Sequence, residues 1–274
     1  MKFLIKFLLY AILFFLSLFF LIPLFWMIST SLKTPEQLFV PNINWIPKPI
    51  AWENYLRTFQ YVDLVLAFKN TLFISGLNVV GVLISCSLAA YAFSVLKWKF
   101  RDIFFYVTLA TMMLPEMVTL VPQFVLFQKL GWYGTFLPLI APYFCGNSFY
   151  IFLLRQFYMT IPKDLHEAAS MDGCSEFDIY RKIYLPLSIP ALSVVSLFQF
   201  LYTWNDLMKP SIYLIDQNQY TLSLTLQQFK AQHGGTEWAL LMAASTIVIL
   251  PIILIFFVAQ RTFVQGIAMT GIKE

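Results

Sequence analysis

Six stretches of this chain are apolar for about the length that crosses the roughly 30 Å hydrocarbon core of a bilayer. They run from about Phe7 to Ser29, Thr71 to Leu96, Ile103 to Phe127, Leu137 to Phe157, Pro190 to Leu214 and Ala239 to Ala259. In hydrocarbon every backbone N–H and C=O must find its partner within the protein, and runs of this length satisfy that as helices. Composition agrees: 59% of the 274 residues are apolar and 12% are charged, against roughly 25% charged in a soluble domain. The expected fold class is an all-α membrane protein with six transmembrane helices, organised as a single domain over residues 1–274. The first stretch exceeds a signal-peptide core, and no small-residue cleavage site follows it, so it is expected to be a retained anchor. Pro115, Pro122, Pro138 and Pro142 are expected to kink or break the third and fourth spans.

The net charge of +4 is spread over short loops, which argues against a nucleic-acid partner. Cys86, Cys145 and Cys174 are scattered, giving neither a disulfide framework nor a zinc site. With the N-terminus inside the cell, eleven Lys and Arg fall on the inner side and seven on the outer, and the inner ones crowd the span ends. Both termini are therefore expected in the cytoplasm. Trp98, Trp132, Trp204 and Trp238 sit near span ends, as an interfacial aromatic belt requires. The long outer loop, about 30–70, carries "VPNINWIPKPIAWENY" and reads either as an ordered cap or as a plain connector.

One inward segment, about 160–188, breaks the apolar pattern: "EAASMDGCSEFDIYRKIYLPL". Asp164 with Glu167 three residues on resembles a capping box, predicting a helix from about Leu165 to Asp172. Leu165, Ala168, Ala169 and Asp172 would share a face with little bulk. Gly173 suits the left-handed position after a helix end. Ser175 and Asp178 signal a second cap, for a helix carrying Phe177, Tyr180, Ile183 and Tyr184 that Pro186 is expected to stop. An amphipathic pair lying on the membrane is the bland reading. Acids and small residues on the first helix favour a knob that inserts into a partner's groove.

"EAASMDG" followed by Leu185 and Pro186 resembles the EAA loop of bacterial ATP-binding-cassette importer permeases. "FLLRQFYMTIPKDLHEAA", "TWNDLMKP" and "EWALLMAASTIVILP" are similar to the carbohydrate-uptake, MalG-like branch, so the resemblance covers nearly the whole chain. It implies a permease of the bacterial plasma (inner) membrane without an ATPase site of its own. The EAA loop becomes a coupling helix docked in a cytoplasmic ATPase, with Glu167, Ala168, Ala169, Asp172, Gly173 and Pro186 in the coupling surface. The implied partners are a second homologous permease, two ATP-binding subunits, an external solute-binding protein, a sugar substrate and membrane lipid, with no cofactor.

Ionisable or strongly polar residues at membrane depth are candidates for a solute pathway. Here they are Glu116 in the third span, Asn147 and Ser148 in the fourth, and Gln199, Asn205 and Asp206 in the fifth. Internal pairing and interhelical hydrogen bonding are the competing roles. The sequence holds no GxxxxGK[ST], HExxH or GxSxG, and His166 and His233 are its two histidines, in loops. An ion-driven secondary transporter would call for repeated halves with matching buried acids, and none is legible here.

Overall fold

In the computed structural model, residues 2–40, 44–230 and 236–271 are described, and side chains over 3–40, 44–230 and 236–260. His233 and Asn42 of the outer loop lie outside the described residues, as do the side chains of the C-terminal tail. Among the described residues all regular structure is helical. Four helices are long and apolar enough to cross a membrane: Phe3–Ser31, Leu64–Ser94, Leu137–Tyr158 and Trp238–Gln260. Two further pairs qualify when each is counted as one span: Arg101–Thr111 with Glu116–Lys129, bent by 98°, and Glu176–Leu187 with Ile189–Asn205, bent by 76°. Counted this way the described residues hold up to six candidate spans, the number expected from the sequence.

The breaks follow the chemistry of the chain. Pro115 sits at the third-span bend as the N-cap of Glu116–Lys129, in extended backbone at φ −59° and ψ 135°. The fourth span opens with a short helical turn and a 3-10 stretch, then turns at Gly146, φ +93°. It restarts at Asn147, whose side chain accepts from the N–H groups of Phe149 and Tyr150. Pro122, by contrast, is accommodated inside its helix.

The chain packs as two compact units, Met1–Leu66 with Leu224–Ile253 and Ala67–Ser223 with Leu254–Glu274. In the first, the described part of the outer loop is an ordered cap. The Asn54 amide donates to the carbonyls of Ser31 and Lys33, each at 2.9 Å, and the backbone N–H of Ala51 donates to Leu32 O. Trp45 stacks on Phe25 and meets Trp26 edge-on. The first span itself has no residue of its most apolar window buried within the chain, so its sides are left to lipid or to a neighbouring molecule.

In the second unit the core forms where small side chains let helices approach. Val82, Cys86 and Ala90 of the second span are fully buried against Ile151 and Leu154 of the fourth, and against Ala191 and Val195 of the fifth. Ala90→Leu adds bulk where there is none to spare. It is expected to cost about 1–3 kcal/mol, read as a lower unfolding temperature of the purified protein, with Val80→Leu at an exposed position of the same helix as a comparison of smaller effect.

Candidate functional site

The loop from 163 to 187 is two short helices joined at a glycine. The first, Lys163–Met171, ends in a double backbone cap: the N–H of Gly173 donates to Ser170 O, and that of Cys174 donates to Ala169 O. That arrangement needs a left-handed residue between them, and Gly173 supplies it at φ +80°. Ser175 then caps the second helix, accepting from the Asp178 N–H at 3.2 Å while its hydroxyl donates to the Asp178 carboxylate at 2.6 Å. Lys182 pairs with the same carboxylate one turn later, at 2.9 Å.

Three sequence expectations are corrected here. Asp164 is not the N-cap; Pro162 is, in extended backbone, and Asp164 lies in the first helical turn with no capping box formed. Ala168 and Ala169 do not share an outward face: Ala168 is exposed, whereas Ala169 packs with Cys174 and Ile183 against the span core. Pro186 does not stop the second helix. A π-helical stretch over Tyr180–Tyr184 widens the coil ahead of it, and the helix runs on to Leu187. A proline lacks the N–H that an α-turn would use, and the wider turn absorbs that loss. The bend instead falls at buried Ser188, whose hydroxyl donates to Leu185 O at 2.9 Å.

The loop stands on a tyrosine cluster that sequence reasoning did not assemble. Tyr91 of the second span, Tyr158 of the fourth, and Tyr180 and Tyr184 of the loop are all buried. Tyr184 meets Tyr91 and Tyr158 edge-on, with ring centroids 5.1 and 5.7 Å apart. Tyr91 donates to Glu176 at 2.8 Å, and the Tyr180 and Ser87 hydroxyls bond across the interface at 2.7 Å. His166 Nε2 lies 3.6 Å from the other Glu176 oxygen. The i,i+4 spacing of Tyr180 and Tyr184 was the available signal for this anchor. On the outside, Glu167, Asp172, Gly173 and Pro186 are exposed, and so are Leu165, Met171 and Phe177, at 43%, 87% and 63%. A charged loop that exposes large apolar side chains on a well-anchored frame is built to meet another surface.

The polar in-span residues separate. The Glu116 carboxylate accepts from the Tyr202 hydroxyl at 2.8 Å and pairs with Lys209 at 2.8 Å. Lys209 also donates to the Tyr143 hydroxyl at 3.2 Å. Lys209 and the two tyrosines were not singled out from sequence; a lysine near a span end reads as interfacial. Asp206 sits beside this group, its carboxylate accepting the Lys209 backbone N–H. Ser148 bonds with Thr111 across the third and fourth spans. Asn147 is the helix cap described above. Gln199 is 1% exposed and donates to Thr203, which also accepts from Asn78. Asn205 is exposed and donates back to Leu201 O. Glu116, Tyr202 and Asn205 are therefore the exposed polar groups of the set, and Gln199 bonds within its own helix to Thr203, which Asn78 joins from the second span. The cavity lined by Asn78, Tyr143, Thr203 and Asp206 has about 10 Å³ of room, water-sized at most.

A multi-span helical protein with broken spans and a firmly seated, partly apolar loop is of the class of membrane transport components. Comparison with known proteins makes it specific. The chain belongs to the binding-protein-dependent transport system inner membrane component family, which matches residues 81–269. It is 34% identical over 254 residues to the probable ABC transporter permease protein YurM of Bacillus subtilis (strain 168), covering 92% of this chain and 83% of that one. It is 32% identical over 254 residues to the arabinooligosaccharides transport system permease protein AraQ of Halalkalibacterium halodurans, covering 92% and 90%. Its fold matches a solved bacterial ABC transporter involved in import of the acidic polysaccharide alginate, with TM-score 0.83, 23% identity, and 94% and 96% of the two chains covered.

Removing one member of the Glu116–Lys209 pair strands the other. Lys209→Met is expected to lower the unfolding temperature of the purified protein, and Lys209→Met with Glu116→Gln to recover most of the loss. Equal melting of the single and double variants would show that the pair carries no coupling energy.

Proposed function

We propose that this chain is one permease half of an ATP-driven, binding-protein-dependent importer for a carbohydrate. It would work with a second homologous permease, two cytoplasmic ATP-binding subunits and an external solute-binding protein. The observation that carries the reading is the loop at 163–187: exposed on one side, and fixed on the other to the second and fourth spans, where Tyr180 and Tyr184 meet Tyr91 and Tyr158. In this role Glu167, Ala168 and Gly173 form the knob that enters a groove of the ATPase, flanked by Leu165 and Met171. Ala169 is the small residue on which the knob rests. When the ATPase closes on ATP, a knob held by buried rings transmits the displacement to the second, fourth and fifth spans as one body. The ATPase supplies the chemistry, and this chain supplies the lever and half of the path.

The path itself is proposed to follow the exposed face that carries Glu116, Tyr202 and Asn205, because the space enclosed near Asp206 is too small for a sugar ring. Carboxylate, amide and phenol groups suit sugar hydroxyls, and aromatic faces suit the C–H side of the ring. The sugar class is supported by the printed function of the arabinooligosaccharide relative. The cytoplasmic placement of both termini and of the loop is supported by the distribution of Lys and Arg.

Three experiments test this. The complete transporter in proteoliposomes is expected to accumulate a labelled oligosaccharide with ATP, and to continue when an ionophore collapses the gradients; uptake that stops with the gradient overturns the ATP-driven reading. Gly173→Val places a β-branched residue at φ +80°, where its side chain has open space but its backbone is strained, by about 1–2 kcal/mol. It is expected to leave membrane insertion intact and reduce ATPase co-purification severalfold, with Gly173→Asn milder. A binding screen of the partner solute-binding protein that returns only non-sugar ligands would refute the carbohydrate assignment.

A further inference from the structure

At the Ser31 end of the first helix, in the unit that holds the outer loop, lies an open pocket of about 350 Å³. Trp26, Phe39 and Trp238 form apolar walls; Thr30, Lys33 and Asn44 are polar groups along it. Lys33 is 3% exposed, and its ammonium lies 4.0 Å from the centre of the Trp26 ring. Among the described residues that ammonium has no hydrogen-bond acceptor and no carboxylate partner. Thr30 is 6% exposed, and its buried hydroxyl also lacks a partner.

Several hydrogen bonds hold the backbone around these two groups. Both carbonyls flanking Leu32, those of Ser31 and Lys33, are held by the Asn54 amide. The Ser29 hydroxyl donates to Trp45 O, and Trp45 packs edge-on against Trp26. The Gln37 amide is occupied at both ends, by the Thr34 N–H and by Pro49 O. An ammonium that faces an open pocket without a counter-charge is incompletely solvated, and a ring face offsets only part of that cost. An open pocket with an unpaired cation and a free hydroxyl therefore fits an anion that brings several acceptor oxygens.

The surroundings select its source. Trp26, Trp45, Trp52 and Trp238 are each between 36% and 65% exposed, and tryptophans in this state belong to the headgroup layer of a bilayer. The first helix, which leads to the pocket, has an apolar window with no residue buried within the chain. We propose that this pocket is a binding site for the phosphate of an anionic phospholipid headgroup, with Lys33 as the charge partner and Thr30 as a hydrogen-bond donor. The site stands independently of the transported solute.

The test uses the complete transporter in bilayers of mixed phosphatidylglycerol and phosphatidylcholine, extracted in mild detergent, with retained lipid counted by mass spectrometry. Wild type is expected to retain phosphatidylglycerol preferentially. Lys33→Met, which keeps the chain length against Trp26, is expected to lower that retention about tenfold, the scale of one charge-assisted hydrogen bond. Lys33→Arg is expected to keep it, and Lys48→Met, at an exposed cation of the same loop, to leave it unchanged. Equal retention by wild type and Lys33→Met overturns the proposal. So does inorganic phosphate that stabilises the delipidated complex as well as phosphatidylglycerol does, since the site would then serve a free anion. Should Lys33→Met fail to assemble, wild type that melts at one temperature with and without phosphatidylglycerol refutes the site.

Discussion

The contact on which most of this structure depends is the burial of four tyrosine rings where the second and fourth spans meet the loop. Edge-to-face aromatic pairs contribute about 0.5–1.5 kcal/mol each beyond the area they bury. Their hydroxyls also need partners, and Ser87 and Glu176 provide them for Tyr180 and Tyr91. This joins two requirements that normally conflict. The loop must be polar enough to live in water, yet it must be fixed to an apolar bundle. Tyrosine meets both, with a ring for the bundle and an oxygen for the polar frame. Without this cluster the glycine cap would still form, but it would orient nothing.

Spans that are broken rather than continuous give the protein its internal polarity. Each break frees backbone groups that must be satisfied at membrane depth. Asn147 does so for the restart of the fourth span, and Ser188 for the bend ahead of the fifth. Near the third-span break, the new helix end at Glu116 brings a carboxylate within reach of Lys209 and Tyr202. An acid at this depth is tolerated because a cation from a distant part of the chain meets it. The same pair ties the third span to the segment that follows the fifth, which a purely apolar interface would leave free to slide.

What could be read from the sequence was what is local or periodic. The spans follow from hydropathy, since lipid demands length and apolarity of each helix separately. Gly173 and the Ser175–Asp178 cap follow from backbone rules that act within four residues. Asp164 misled because the helix begins two residues earlier, with Pro162 at the N-cap, which leaves Asp164 inside the first turn. Pro186 misled because the rule that proline ends helices assumes an α-helical coil, and the π-helical stretch before it removes that assumption. Lys209, Tyr143, Tyr202 and Lys33 were out of reach for another reason. Their roles depend on which distant residues they meet, and a lysine at a span end looks the same whether it reaches into water or is enclosed among indoles.

The turn at Gly173 is closed by main-chain bonds, from Gly173 to Ser170 and from Cys174 to Ala169. The side chains that it projects, Leu165, Ala168 and Met171, are exposed and take no part in those bonds. Shape and identity are thus separable in this protrusion: descendants of this chain could recolour its tip freely, adopting a different engine, while the mount beneath stayed as it was.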